Sequence, residues 1–186
     1  MILNPKYIWL YQKPYCCNVT CLLMILYRNG YSLYEQDYLA KYFDVKISKD
    51  SKEYFSVDLK TFTSENFDEG LKTIESENII NNFFTEHNIK LQAKATYFKE
   101  IIDLKKFIFE NLEKNYDLWV EYKLHNIFDL KLIHNGLIES CEDWMITMID
   151  TDPEAESRFK VSIEDLEEAL SDKYARETGI IVISKK

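Results

Sequence analysis

Glycine and proline are scarce in this chain, with four and three residues among 186. So little of either argues against disorder over most of the length. Basic residues are outnumbered, 23 Lys and Arg against 32 Asp and Glu, for a net charge of −9. An acidic chain lacks the clustered cations that phosphate needs, so neither nucleic acid nor an anionic membrane is expected as a partner. No apolar run reaches the ~18 residues of a spanning helix, and the longest, Val19 to Tyr27, suits a buried helix instead. The N-terminus has no basic region followed by a long apolar run and a cleavage site, so no signal peptide is expected. The cysteines are Cys16, Cys17, Cys21 and Cys141, and adjacent Cys16 and Cys17 would pair only with strain. That excludes a secreted disulfide framework and favours a reducing, cytoplasmic setting. Histidine is rare too, with three residues: His87, His125 and His134.

Apolar residues are plentiful at 46%, and 15% of the chain is aromatic. The length suits one domain, residues 1–186, with a modest insertion. Residues 1–15 read as extended. An apolar helix is expected from Cys17 to Arg28, stopped by Asn29-Gly30. Ser32 and Glu35 form a capping box for a second helix. Residues 45–75 are polar and weakly periodic, which reads as a loop-rich insertion that covers a cleft. Helices follow over residues 76–86 and 104–114, with strands at 91–97 and 117–122. Leu132 to Ser140 and Trp144 to Asp150 form a β-hairpin around Cys141-Glu142-Asp143. Ser162 caps a helix to Leu170, and Gly179 to Ser184 is a buried strand. Helices first, then strands with interspersed helices, predicts an α+β fold with helices packed on an antiparallel sheet.

The chemistry-bearing stretch is Gln12 to Gly30. Cys17 opens the apolar helix, where unpaired N–H groups and the helix dipole favour a thiolate. Gln12, five residues earlier, carries an amide able to donate to an oxyanion. Such a nucleophile needs a base. His87 reads as an ordinary turn residue and His125 as a loop residue, whereas His134 opens the first hairpin strand. A turn centred on Glu142 sets His134 opposite Asp150, with Asp152 two residues further on the same face. A histidine beside a carboxylate is the base-and-orienter unit of a triad. The carboxylate would hold Nδ1–H and leave Nε2 for the thiol. Asp152-Pro153 would end the strand.

In their order, Gln12, Cys17, the helix to Gly30, His134 and Asp152-Pro153 resemble the papain-like cysteine peptidases that cleave bacteriocin leader peptides within ABC exporters, and their stand-alone bacterial relatives. Cys16-Cys17-Asn18 occupies that family's Asp-Cys-Gly place. The resemblance implies a papain-like fold, Cys17 as nucleophile, His134 as base, Asp152 as orienter and Gln12 as oxyanion donor. It spans roughly residues 1–45 and 117–186 and leaves the middle unaccounted for. Asn18 departs from the family glycine, and Gln12 lies one residue nearer the cysteine than is usual. Cys16 competes as nucleophile and Asp150 as orienter.

The expected function is therefore cysteine-dependent hydrolysis of a peptide or amide bond, on a peptide or protein substrate, with no cofactor and no metal. The same constellation serves acyl transfer and deamidation, and a catalytically inactive binding domain on this fold is the alternative from a different class. A zinc site built from Cys17 and Cys21 with His134 or Cys141 would lack the second ligand pair that structural sites carry. The acidic run from Asp150 to Glu156 lacks the glycine turn and oxygen spacing of a calcium loop.

Overall fold

The computed structural model describes residues 1–62, 73–123, 133–171 and 178–186. Five α-helices lie among them: α1 (Cys17–Arg28), α2 (Gln36–Tyr42), α3 (Glu77–Glu86), α4 (Leu104–Glu113) and α5 (Ile163–Ser171). Six strands form one antiparallel sheet: β1 (Leu91–Tyr97), β2 (Asp117–Lys123), β3 (Ile133–Glu142), β4 (Met145–Asp150), β5 (Arg158–Ser162) and β6 (Gly179–Lys185). The strand order is β1-β6-β2-β3-β4-β5. The last strand thus enters between two earlier ones. Its β-branched run Ile180 to Ile183 suits that central place, because side chains on both faces of an interior strand are covered. Gly179 opens β6 where a Cβ would lie 2.4 Å from the Thr96 carbonyl, so no side chain fits there.

α1 is apolar nearly all round and is buried from Asn18 to Leu26. It packs on β3, while α3 packs on β1 and α4 and α5 pack on β2. The end of α1 is locked by charge. Arg28 Nη1 meets Asp117 Oδ1 at 2.8 Å, the Tyr7 hydroxyl donates to that oxygen at 2.7 Å, and Asn29 Nδ2 donates to Asp117 Oδ2 at 2.8 Å. Burial pushes the Asp117 carboxyl up, against the pull of Arg28 and its hydrogen bonds. This cluster joins the C-terminus of α1, the start of β2 and the N-terminal segment.

That segment is extended, and the sheet holds it. Leu3 N–H donates to the Glu139 carbonyl at 2.9 Å, Trp9 Nε1 to the Asp150 carbonyl at 2.7 Å, and Gln12 N–H to the Thr151 carbonyl at 2.8 Å. Arg158 grips Glu139 through Nε and Nη2, both at 2.9 Å, and the Tyr7 carbonyl at 2.7 Å. Residues distant in sequence are thereby stitched together along the strands that lead to the site.

Two local expectations change. The second helix starts at Gln36 and not at Ser32, and Glu35 makes no side-chain cap. The Gln36 side chain instead serves the neighbouring backbone, accepting from Lys13 N–H at 2.8 Å and donating to the Tyr11 carbonyl at 2.8 Å. The hairpin register also differs. Glu142 pairs Met145 around a tighter turn, where Asp143 takes a left-handed φ of 54°, and a bulge shifts the ladder between Ile138 and Ser140. Asp150 therefore pairs with Gly136, two residues from the expected partner. A shift of two preserves the face. Residues 45–62 are mostly loop, with buried Val45, Ile47 and Leu59 and a 3₁₀ turn, Lys49–Tyr54. They pack on the segment that precedes α1, with Phe62 edge-on to Tyr15 and Phe55 beneath the Lys13 ammonium. Residues 63–72 of the expected insertion, Leu132 of the expected hairpin, and His125 lie outside the described residues.

Candidate active site

Cys17 is the first residue of α1 and is partly exposed, whereas its neighbour Cys16 is fully buried. A first helical residue has an N–H without an intrahelical partner, and the dipole adds positive potential at the sulfur. Burial, reinforced by the charge of Cys17, pushes the Cys16 thiol well above its ordinary value. Burial does the same to Cys21 and Cys141. Asn18 turns its carbonyl oxygen onto its own helix, accepting the Val19 N–H at 2.7 Å. Replacing glycine at this place thus adds a helix-start bond and puts no donor on the sulfur.

His134 sits at the start of β3 and is buried. Its Nε2 lies 2.7 Å from Asp150 Oδ1, so the ring donates Nε2–H to the carboxylate. The other ring nitrogen, Nδ1, is the one left for the thiol, the reverse of the expected assignment. Burial works against a charged ring, but hydrogen bonds to Asp150 and to the Cys17 side chain push His134 up to about 10. Tyr122 packs edge-on against the imidazole, 5.9 Å between centroids at 90°.

The expected orienter, Asp152, does not meet His134. It lies past the end of β4, where its Oδ1 accepts the Glu154 N–H at 2.9 Å in a turn. Its backbone N–H donates to Asp150 Oδ1 at 2.8 Å, so Asp152 steadies the carboxylate that does face the histidine. Asp150 is the strand's last residue and 1% exposed. Its pairing with Gly136 places it diagonal to His134 on the same face. A Cβ on Gly136 would lie 2.9 Å from the Ile149 carbonyl and 3.3 Å from the Tyr122 ring, so this close approach of β3 to β4 needs glycine.

Gln12 is held by Thr151, which the sequence reading passed over between two aspartates. The Thr151 hydroxyl donates to Gln12 Oε1 at 2.6 Å, and this leaves the Gln12 amide nitrogen as a donor. Asn135 and Trp119 were likewise missed. Asn135 Nδ2 donates to Cys17 Sγ at 3.6 Å, and Trp119 Nε1 donates to Asn135 Oδ1 at 2.9 Å. A neutral amide after a histidine carries no sequence signal of its own.

Cys141 is at the hairpin end of β3, about 23 Å of strand from His134, so these two cannot serve one metal ion. Among the described residues no three metal-ligating side chains cluster. His87 lies among Tyr34, Tyr38, Tyr42 and Phe83, with Nε2 3.0 Å from the Tyr38 hydroxyl, and takes no part in the site.

Six antiparallel strands, an apolar helix led by a cysteine, and a histidine on the facing strand invite comparison with solved structures. The peptidase domain of Streptococcus ComA, a bi-functional ABC transporter involved in a quorum-sensing pathway, aligns over 97% of this chain and 98% of its own length. Its TM-score is 0.53 at 13% identity. The fold is papain-like. A C39-like peptidase assignment from Bacillus anthracis aligns over 100% of this chain and 98% of its own, with a TM-score of 0.65 at 12% identity. Identities this low speak for the papain-like fold and not for activity. No family model and no curated protein matches the chain. The alignment with the Bacillus anthracis structure spans the whole chain, the middle region included. No helix among the described residues is long and apolar enough to cross a membrane.

Proposed function

We propose that this papain-like chain is a cysteine-dependent hydrolase of peptide or amide bonds. The observation that carries the reading is His134 held at Nε2 by buried Asp150 at 2.7 Å, on the strand whose next residue, Asn135, reaches Cys17 Sγ at 3.6 Å. That is the base-and-orienter unit facing a thiol at a helix start.

In this reading His134 takes the Cys17 proton and the sulfur attacks the carbonyl carbon. The tetrahedral oxyanion is met by the Cys17 backbone N–H and the Gln12 amide. Such donors contribute about 3–4 kcal/mol each to acyl transfer. As the oxyanion collapses, the bond to nitrogen breaks and imidazolium protonates the leaving amine. Water then adds to the thioester carbon, giving its proton to His134, and the sulfur departs. Asp150 keeps the imidazole turned toward the sulfur and stabilises its charge. The substrate is a peptide or protein segment. An open groove of about 580 Å³ lies beside the N-terminal segment, lined by Trp9, Leu10, Tyr11, Leu33 and Tyr34 together with Lys13, Glu35 and Asp37, and none of Gln12, Cys17 or His134 lines it. Four free cysteines suit a reducing, cytoplasmic setting.

The test is incubation of the protein and its Cys17→Ala variant with a complex peptide library, read by mass spectrometry. New termini or mass changes made by the wild type and lost in the variant support the reading. Water, amine or side-chain amide chemistry is distinguished by the mass gained. Iodoacetamide at neutral pH should label Cys17 far ahead of Cys16, Cys21 and Cys141. Equal slow labelling of every thiol, with no reaction on the library, overturns the reading in favour of a binding module.

A further inference from the structure

Asn135 follows His134 on β3 and is 3% exposed. Its amide has two unlike ends, an oxygen that only accepts and an NH2 group that only donates. Trp119, itself 1% exposed, settles which way round the amide stands. Its indole nitrogen has a hydrogen to give and no lone pair to offer, and it lies 2.9 Å from Asn135 Oδ1. Turning the amide over would set N–H against N–H in a buried place, where an unmade bond is costly. The NH2 group is therefore aimed at Cys17 Sγ, 3.6 Å away. An asparagine with a purely structural part would spend this end on a backbone carbonyl. Here it is spent on the sulfur.

We propose that Asn135 is a further catalytic residue, donating a hydrogen bond to the Cys17 thiolate while Trp119 fixes the direction of that donation. The inference rests on Cys17 being the nucleophile and names what steadies it. Two steps gain. Before attack, the donor favours the ionised sulfur, since bonds to charged acceptors are the stronger ones. In hydrolysis of the thioester, the C–S bond breaks and its electron pair returns to sulfur, where the Asn135 N–H receives it. His134 cannot serve alone throughout, because its proton leaves with the amine and must be regained from water. Asn135 never titrates, so its contribution is constant across both steps.

The test uses iodoacetamide alkylation of Cys17, read by intact and peptide mass, in folded protein from pH 4 to 9. The ionisable groups around the sulfur, His134, Asp150, Cys16, Cys21 and Tyr122, are common to all variants. Asn135→Leu removes the donor at similar volume. The expected result is labelling slowed about tenfold at pH 5, with the gap to the wild type narrowing as pH rises. A merely structural role would slow labelling equally at every pH or not at all. Should Asn135→Leu fail to fold, Asn135→Ala carries the test, because it removes the donor without adding bulk or charge beside the sulfur. Labelling within twofold of wild type at pH 5 in a folded variant overturns this inference and leaves the proposed hydrolase standing. A wild type whose Cys17 does not label selectively overturns both.

Discussion

His134 Nε2 and Asp150 Oδ1 are 2.7 Å apart and both side chains are buried, so the carboxylate determines which ring nitrogen faces Cys17. Asp152, two residues on, reaches the same oxygen only through its backbone N–H at 2.8 Å. The two aspartates should therefore separate cleanly on mutation. Asp150→Ala is expected to slow Cys17-dependent turnover by about 10²–10⁴-fold, the range for disturbing a positioned base. Asp152→Ala keeps the N–H and should change turnover by less than about threefold. Rates of library-peptide cleavage by the two variants check this.

The Thr151 hydroxyl orients Gln12, donating to its Oε1 at 2.6 Å. Thr151→Val removes the hydroxyl that holds Gln12 Oε1 and frees the amide to rotate. We expect turnover to fall about tenfold, part of the 10²–10³ cost of deleting an oxyanion donor outright. Iodoacetamide labelling of Cys17 should be unchanged, because alkylation passes through no oxyanion. Thr151→Ser, which restores the hydroxyl, should recover most of the rate.

Stability should depend on pH through His134. Despite the opposing effect of burial, the ring holds its proton more tightly folded than unfolded, about 10 against 6.5. A raised imidazole stabilises while it is protonated. Its contribution is whole below pH 6.5, declines as pH rises and is gone above about 10. The urea midpoint should fall across that window in the wild type. His134→Gln should flatten the decline, and an unchanged slope in the variant would refute the assignment.

The Arg28–Asp117 pair is buried on both sides, with each side chain 2% exposed. Asp117→Ala would leave the buried guanidinium with only neutral acceptors, the Pro5 carbonyl and Asn115, and would take the acceptor from the Tyr7 hydroxyl. The expected loss is about 3–5 kcal/mol in urea unfolding. Replacing both partners with apolar residues of similar volume should cost clearly less, since no lone buried charge remains.

How much of this was legible depends on whether the cause is local. α1 was readable because its apolar stretch and its stop at Asn29-Gly30 are consecutive in the chain. The strands and their α+β grouping followed from period and turn chemistry. The start of α2 was not readable, because Gln36 is claimed by the backbone of Lys13 and Tyr11, more than twenty residues away. The hairpin register was missed by two residues. A tighter turn and a bulge are decided by pairing with β2 and β4 together, not by either strand alone.

The face of the strand survived that error, since side chains alternate with period two. That is why both Asp150 and Asp152 stayed candidates and only geometry could separate them. Sequence by itself determined the α+β grouping, the helix that begins at Cys17 and the strand that carries His134, because all three arise from neighbours along the chain, while the papain-like class entered through resemblance to a family. Tertiary structure alone decided that Asp150 and not Asp152 meets His134, that Nε2 is the nitrogen it holds, and that Thr151, Asn135 and Trp119 stand around the cysteine. Those choices rest on hydrogen-bond directions between residues up to 139 positions apart, and no local pattern encodes a direction.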